Sequence, residues 1–391
     1  MSRSQAEGSR RAVSGDGTEA GPGRLRILEV SGSAAGGMRA HVAECARILA
    51  GEGHDVIVEA PSDVIAGADF GQARLEVLSI GARPTLGDGA VIARLRRLGR
   101  RADVVHAHGL RAGALAAWAL GRRRPGRTRL VVTIHNRPVG GRLTTAVGDR
   151  LESLVAARAD HILAVSPDLA EDFRSSGAQR VDLAVIPAPR RDERGLAPRA
   201  SSVESAWRGA SGRLLTVARL APQKGLDLLL DTAALLAASG VEGSGTMAGL
   251  AWAIAGEGPG RAAAEARIRA ESLPVNLLGR REDVPALMDA ADVVVQTSLW
   301  EGQPIALQEA LQAGAAIVAT DVGGTAATAR GGAILVPPQP QVIAEAVAGL
   351  LRDAEARYRV RERARRAAER LPDGAALAAQ LEAVVACREV P

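Results

Sequence analysis

Short apolar runs alternate with longer stretches of helical periodicity along most of the chain. Leu25–Val30 reads as a buried strand, and the small-residue loop Ser31–Gly37 leads into a helix over about Met38–Ala50, ended by Gly51 and Gly53. Further strands are predicted at His54–Glu59, Leu75–Ile80, Asp103–Ala107, Leu130–Ile134 and His161–Val165, most of them separated by helices. Such alternation implies parallel βαβ units. It stops after Ile186. Pro187–Gly212 holds three prolines, several charges and Ser201-Ser202 without periodicity, and reads as a linker with a short helix around Trp207. A second series follows, with strands at Arg213–Val217, Ala251–Ala255, Val275–Leu278, Val293–Val295, Ala316–Ala319 and Ala333–Val336. Helical stretches over about Gln341–Arg370 and Gly374–Ala386 close it.

The expected organisation is an α/β chain with a disordered leader over 1–23, a Rossmann-like domain over 24–187, a linker over 188–212 and a second Rossmann-like domain over 213–370. A C-terminal helix within 371–391 is placed to pack back on the first domain. A length of 391 residues exceeds one ordinary core. Parallel sheets bind ligands beyond the carboxyl ends of their strands, so two such units facing each other imply a cleft.

Composition adds exclusions. Hydrophobic residues make up 47% and charged ones 24%, a globular balance. Aromatics are 2% against abundant Ala, Arg and Gly, which reads as coding bias and carries no function. No apolar stretch reaches the length of a membrane helix, and the polar segment Met1–Gly23 lacks the apolar core of a signal peptide. Cys45 and Cys387 match no disulfide framework or ligand spacing, so a cytoplasmic setting is expected. Arginines cluster at 94–101 and 122–129, as solvated helix faces or as contacts to anionic headgroups at the inner face of a membrane. The scarcity of aromatics beside them argues against nucleic acid. Of 49 basic residues one is a lysine, Lys224. Lysine offers a compact point charge where arginine offers a planar fork.

Candidate chemistry concentrates at strand ends. In Val293–Gly324 a strand ends at Ser298, Glu301 lies in the turn, and a helix starts near Pro304. Free amides at that start, with the helix dipole, favour a phosphate or an anionic oxygen. Glu301 and Glu309 can each accept paired hydroxyls, and capping or solvation alone would also account for them. In the first half, Gly36 and Gly37 let backbone approach phosphate oxygens or only shape a turn. His106 and His108 share a strand face by the period of two, and a structural role fits either equally. His135, Asn136 and Arg137 end another strand, and Ser166 ends a third at a helix N-cap position. No Asp-x-Asp pair or sequence-local Cys/His set occurs, so no metal is expected. The charge of a leaving group then falls to cations and helix amides.

Glu301-Gly302-Gln303-Pro304 followed by Glu309-Ala310 resembles the E-x7-E signature of retaining glycosyltransferases of family 4, glycosyltransferase group 1. These enzymes have the GT-B fold of two facing Rossmann-like domains. VARLAPQKGLDLLLDTAALL at 217–236 resembles their donor-phosphate segment, and AGEGPGR at 255–261 their glycine-rich turn. NLLGRREDVPALMDAADVVV at 276–295 is similar to the segment before the acidic motif, so the resemblance spans nearly all of the ordered chain. It implies metal-independent, retaining transfer of a sugar from a UDP- or GDP-linked donor.

The resemblance assigns catalysis to His108, Glu301, Arg219 and Lys224. Donor binding falls to Gly36, Gly37, Arg219, Lys224, Gly279, Arg280, Gly302, Gln303, Pro304, Ile305 and Glu309, with the base near Gly279 and Arg280 and the ribose on Glu309. The acceptor side would hold Arg39, His41, His135, Asn136 and Arg137. The partners implied are a nucleotide sugar and a small-molecule, lipid-linked or glycan acceptor. Two positions depart from the family. Thr325-Ala326-Ala327-Thr328 stands where a glutamate is frequent, and Gln303 where an apolar or aromatic residue is frequent. Rival readings are a GT-B epimerase or phosphorylase, or a silent sugar-nucleotide-binding protein. A nicotinamide enzyme is disfavoured because no G-x-G-x-x-G follows the first strand.

Overall fold

The computed structural model describes residues 23–34, 36–81, 84–136, 142–190, 203–239 and 249–387. The expected leader (save residue 23), the middle of the expected linker and Arg137 lie outside the described residues.

The first sheet has seven parallel strands. They are β1 (Arg26–Ser31), β2 (Asp55–Ala60), β3 (Arg74–Val77), β4 (Val104–His108), β5 (Arg129–Ile134), β6 (His161–Ala164) and β7 (Val181–Leu183), in the order β3-β2-β1-β4-β5-β6-β7. The second has six parallel strands: β8 (Gly212–Val217), β9 (Leu250–Ala255), β10 (Val275–Gly279), β11 (Val293–Gln296), β12 (Ile317–Thr320) and β13 (Ile334–Val336), in the order β10-β9-β8-β11-β12-β13. Apolar runs without alternation suit strands covered on both faces, and all six residues of β9 are buried. In each sheet the strand order reverses direction between a first strand and its later neighbour, β1 beside β4 and β8 beside β11. Such switch points open a crevice at the strand carboxyl ends. The GT-B fold expected from the sequence is the one observed.

Two local expectations fail. β7 was not anticipated: three residues at a sheet edge, with Leu183 exposed, carry too little periodic signal. The single helix expected over 341–370 is two, Pro340–Arg352 and Ala354–Ala368. Asp353 breaks them with an extended backbone, and its carboxylate accepts from the Ala356 amide as an N-cap.

The chain passes between the halves twice. On the way out, Gln308 brackets the crossover: its Oε1 accepts from Ala188 N at 3.1 Å and its Nε2 donates to Ile186 O at 2.9 Å. On the return, the Gly374–Val385 helix buries Leu377, Leu381, Val384 and Val385 in the core of the first sheet. His54 Nε2 meets Glu382 at 2.9 Å, and Gln380 bonds both Val185 N and Leu183 O at 2.8 Å. Arg129 donates to the carbonyls of Val384 and Val385 at 2.7 Å, a cation at the negative end of the helix. No helix among the described residues is long and apolar enough to cross a membrane.

Candidate active site

A cavity of about 620 Å³ lies where the carboxyl ends of the two sheets face each other. One wall comes from the loop Gly36–Gly37 with His135 and Asn136, the other from Arg219, Lys224 and the stretch Glu301–Ile305. Two walls meet closely at one edge: a Cβ on Gly37 would sit 3.4 Å from Ile305 Cγ1, and one on Gly302 would collide with Val165.

The second-domain wall is charged. Arg219 is exposed at the end of β8, and its guanidinium makes no hydrogen bond or ion pair to any described residue. A glycine-rich turn supports the loop that carries it, since a Cβ on Gly256 or Gly258 would run into the carbonyls of Ala218 or Leu220. The glycines of AGEGPGR thus serve close backbone packing beneath Arg219. Lys224 ends the short 3-10 turn Pro222–Lys224, and its Nζ donates to Glu301 Oε1 at 2.6 Å. Ser298 Oγ donates to the same oxygen at 2.5 Å. The turn is clipped in place, because Leu299 N donates to Gln223 O at 2.8 Å and Gln223 Nε2 to Trp300 O at 3.0 Å. Glu301 is 5% exposed, so its charge is balanced by the ammonium beside it. The helix Ile305–Gln312 starts at Pro304, leaving the Ile305 and Ala306 amides without intrahelical partners at the cavity.

The first-domain wall is buried and built from imidazoles. Glu29, in the middle of β1, is fully buried and accepts from both neighbours on β4: His106 Nδ1 at 3.1 Å and His108 Nε2 at 2.7 Å. His106 also reaches Thr133 Oγ1 at 2.8 Å. Burial alone would raise the Glu29 pKa, but His106 and His108 hold it down at about 2. His135 Nε2 lies 3.4 Å from His108 Nδ1, and the His41 ring packs edge-on to both. Burial lowers the pKa of His41 to about 3, that of His108 below its ordinary value and that of His135 well below it.

These placements sort the expected residues. Gly36, Gly37, His135, Asn136, Arg219, Lys224, Glu301, Gly302, Gln303, Pro304 and Ile305 line one cavity. His108 sits beneath His135, 1% exposed, and the cavity-lining imidazole is His135. Gln303 lines the cavity, yet its amide is engaged with the crossover: its Oε1 accepts from Ile186 N and its Nε2 donates to Ala184 O. Arg39 turns away to the carbonyl of Ala66. Gly279, Arg280 and the half-buried Glu309 are not among the lining residues, and Ala327 lines a separate cleft of about 180 Å³. Ser166 occupies an N-cap position without a capping bond. Sequence reasoning missed Glu29, whose signal was a carboxylate inside an apolar strand. It also missed Asp63, for which no motif existed, and Gln223 and Trp300, which lie inside the segments 217–236 and 293–324 at positions given no role.

Residues 200–367 match the family model of glycosyl transferases group 1, and residues 36–189 match that of the glycosyl transferase 4-like domain. Solved structures share the fold. The Anabaena protein HepE in complex with UDP and glucose superposes with a TM-score of 0.73 at 19% identity, covering 93% of this chain and 100% of that one. Sucrose-phosphate synthase from Thermosynechococcus elongatus gives 0.69 at 17%, covering 93% and 98%. WaaG, a glycosyltransferase involved in lipopolysaccharide biosynthesis, gives 0.64 at 17%, covering 92% and 99%. The Escherichia coli UDP-Gal:alpha-D-GlcNAc-diphosphoundecaprenol alpha-1,3-galactosyltransferase is 44% identical over 48 residues, 12% of this chain and 12% of that protein's length. The domain matches support a glycosyltransferase, and the solved structures share its GT-B fold. The two matches adjoin along the chain, the 4-like model on the first sheet and the group 1 model on the second.

Proposed function

We propose that the protein is a retaining, metal-independent glycosyltransferase that takes its sugar from a nucleoside-diphosphate donor. The observation that carries this reading is the convergence of a guanidinium without a partner among the described residues, an ammonium and two open helix amides on one interdomain cavity. That set neutralises a departing diphosphate without a divalent ion. The solved HepE complexes hold UDP-glucose in one case and UDP with glucose in another, and the galactosyltransferase relative is named for a UDP-sugar, which favours a UDP-linked hexose over GDP.

In this mechanism Arg219 and Lys224 bind the diphosphate, and Glu301 orients the sugar once Lys224 is drawn toward phosphate. His135, backed by His108 and Glu29, borders the acceptor approach. Displacement on one face lets the leaving phosphate oxygen take the acceptor's proton. Closure of the two domains then excludes water. Glu309 is assigned to the ribose and the backbone of Gly279 and Arg280 to the base. The acceptor is a small molecule, a lipid-linked species or a glycan. Arg97, Arg100 and Arg101 are exposed, and Trp118 on the adjacent helix is 58% exposed. We infer a peripheral contact of this face with anionic lipid at the cytoplasmic side of a membrane.

A thermal-shift panel of UDP- and GDP-sugars tests the donor. A UDP-sugar is expected to raise the melting temperature by mass action, and no shift with any nucleotide sugar at saturating concentration overturns the proposal. Sedimentation with anionic vesicles at low salt tests the lipid contact, and protein left in the supernatant removes it.

A further inference from the structure

We propose that His41, His108 and His135 form a binding site for a borderline divalent transition ion of the zinc class, with a fourth position open to the interdomain cavity. The three come from three elements: the Gly37–Gly51 helix, the end of β4 and the residue after β5. One ring nitrogen of each lies within 4.8 Å of the others. The 3.4 Å between His135 Nε2 and His108 Nδ1 is close to the ~3.3 Å edge of a tetrahedron built on zinc–nitrogen bonds of about 2.0–2.1 Å.

The surroundings fit a metal ligand set. The other nitrogen of His108 is held by Glu29 at 2.7 Å, which leaves Nδ1 as the ligand atom and fixes the ring. A carboxylate behind a histidine is the arrangement that orients metal-bound imidazoles. Glu29 is itself fixed by His106, and His106 by Thr133. The cavity gives an entry path through His135. Three imidazoles select zinc, cobalt, nickel or copper, whereas the oxygen-seeking ions that accompany diphosphates prefer carboxylate and phosphate ligands. The site is therefore distinct from diphosphate binding and stands whether or not the transfer reaction proposed above is correct. A second group, Glu29, His106 and His108, also lies within ligand distance, but its members already satisfy one another and Thr133.

The test uses the purified full-length protein, stripped with a chelator and titrated with Co2+ in the absence of any donor. The expected result is one equivalent of cobalt with the intense visible absorption of tetrahedral coordination, displaced by Zn2+. His41→Gln and His135→Gln are each expected to weaken cobalt binding by about ten-fold or more, while His106→Gln keeps the band. If His41→Gln fails to fold, His135→Gln decides, because that residue is half-buried at the cavity. A spectrum that stays that of the hydrated ion overturns the site, as does a band that survives His135→Gln. Loss of the band in His106→Gln with retention in His41→Gln assigns the ion to the other group and also overturns it.

Discussion

The two walls of the cavity are built by opposite means. The second-domain wall takes its chemistry from two short contiguous segments, 219–225 and 298–305, and leaves charge and amides open to the cavity. The first-domain wall gathers Glu29, His41, His106, His108 and His135 from four separate places in the sequence and buries nearly all of them in contacts with one another. An open, preorganised wall is suited to receiving an anion, because the Arg219 guanidinium and the helix amides face the cavity before the ligand arrives. A closed relay of buried rings is suited to holding one geometry, because each ring fixes the next.

The sharpest way to probe this contrast is to remove a cation. Arg219→Ala is expected to lower kcat/KM by about 10²–10³ with little change in melting temperature, since its guanidinium has no hydrogen-bond or ion-pair partner among the described residues. Lys224→Ala should lose activity comparably but also destabilise the fold by about 1–3 kcal/mol, because it strands the buried Glu301 carboxylate. Donor-dependent turnover and thermal melts separate the two, and equal melts for both variants would refute the difference drawn between them. Next in size, Gly256→Ala forces a methyl into the carbonyl of Ala218 and should cost about 1–3 kcal/mol while displacing the Arg219 loop. A wild-type denaturation midpoint in that variant removes the supporting role given to the glycine turn.

Gln308→Leu leaves the Ala188 amide and the Ile186 carbonyl without partners between the domains, an expected loss of about 1–3 kcal/mol in urea unfolding. Unaltered stability there would mean that water or a neighbour takes over both bonds. The smallest effect concerns His161, whose pKa burial pulls below 6.5 despite the contact with Asp182 at 2.6 Å. The unfolded chain then takes up a proton that the folded one resists. This contribution to stability is complete above pH 6.5 and declines as the pH falls below it. His161→Gln should flatten that slope in melts recorded on the acid side, and an unchanged slope discards the assignment.

Much of the second wall was legible in the sequence because its parts are neighbours in the chain. A lone lysine, a glycine-rich turn and two glutamates eight positions apart form readable motifs. The doubly wound sheets were legible for a related reason, since runs such as LAWAIA in β9 are apolar on both faces. The imidazole cluster was not legible. His41, His108 and His135 show no ligand spacing, and only the register of β1 against β4 brings Glu29 opposite His106. Nor could periodicity reveal that Gln303 and Gln308 spend their amides on the crossover backbone, which depends on where residues 184–188 run.

The return of the Gly374–Val385 helix also sets a schedule for synthesis. His54 finds its partner 328 positions later, so the first sheet emerges from the ribosome with an apolar face still bare. At roughly 5–20 residues per second that face waits on the order of ten seconds or longer for its cover. The half made first is thus the half finished last, and chaperone capture during translation is expected there rather than on the second domain.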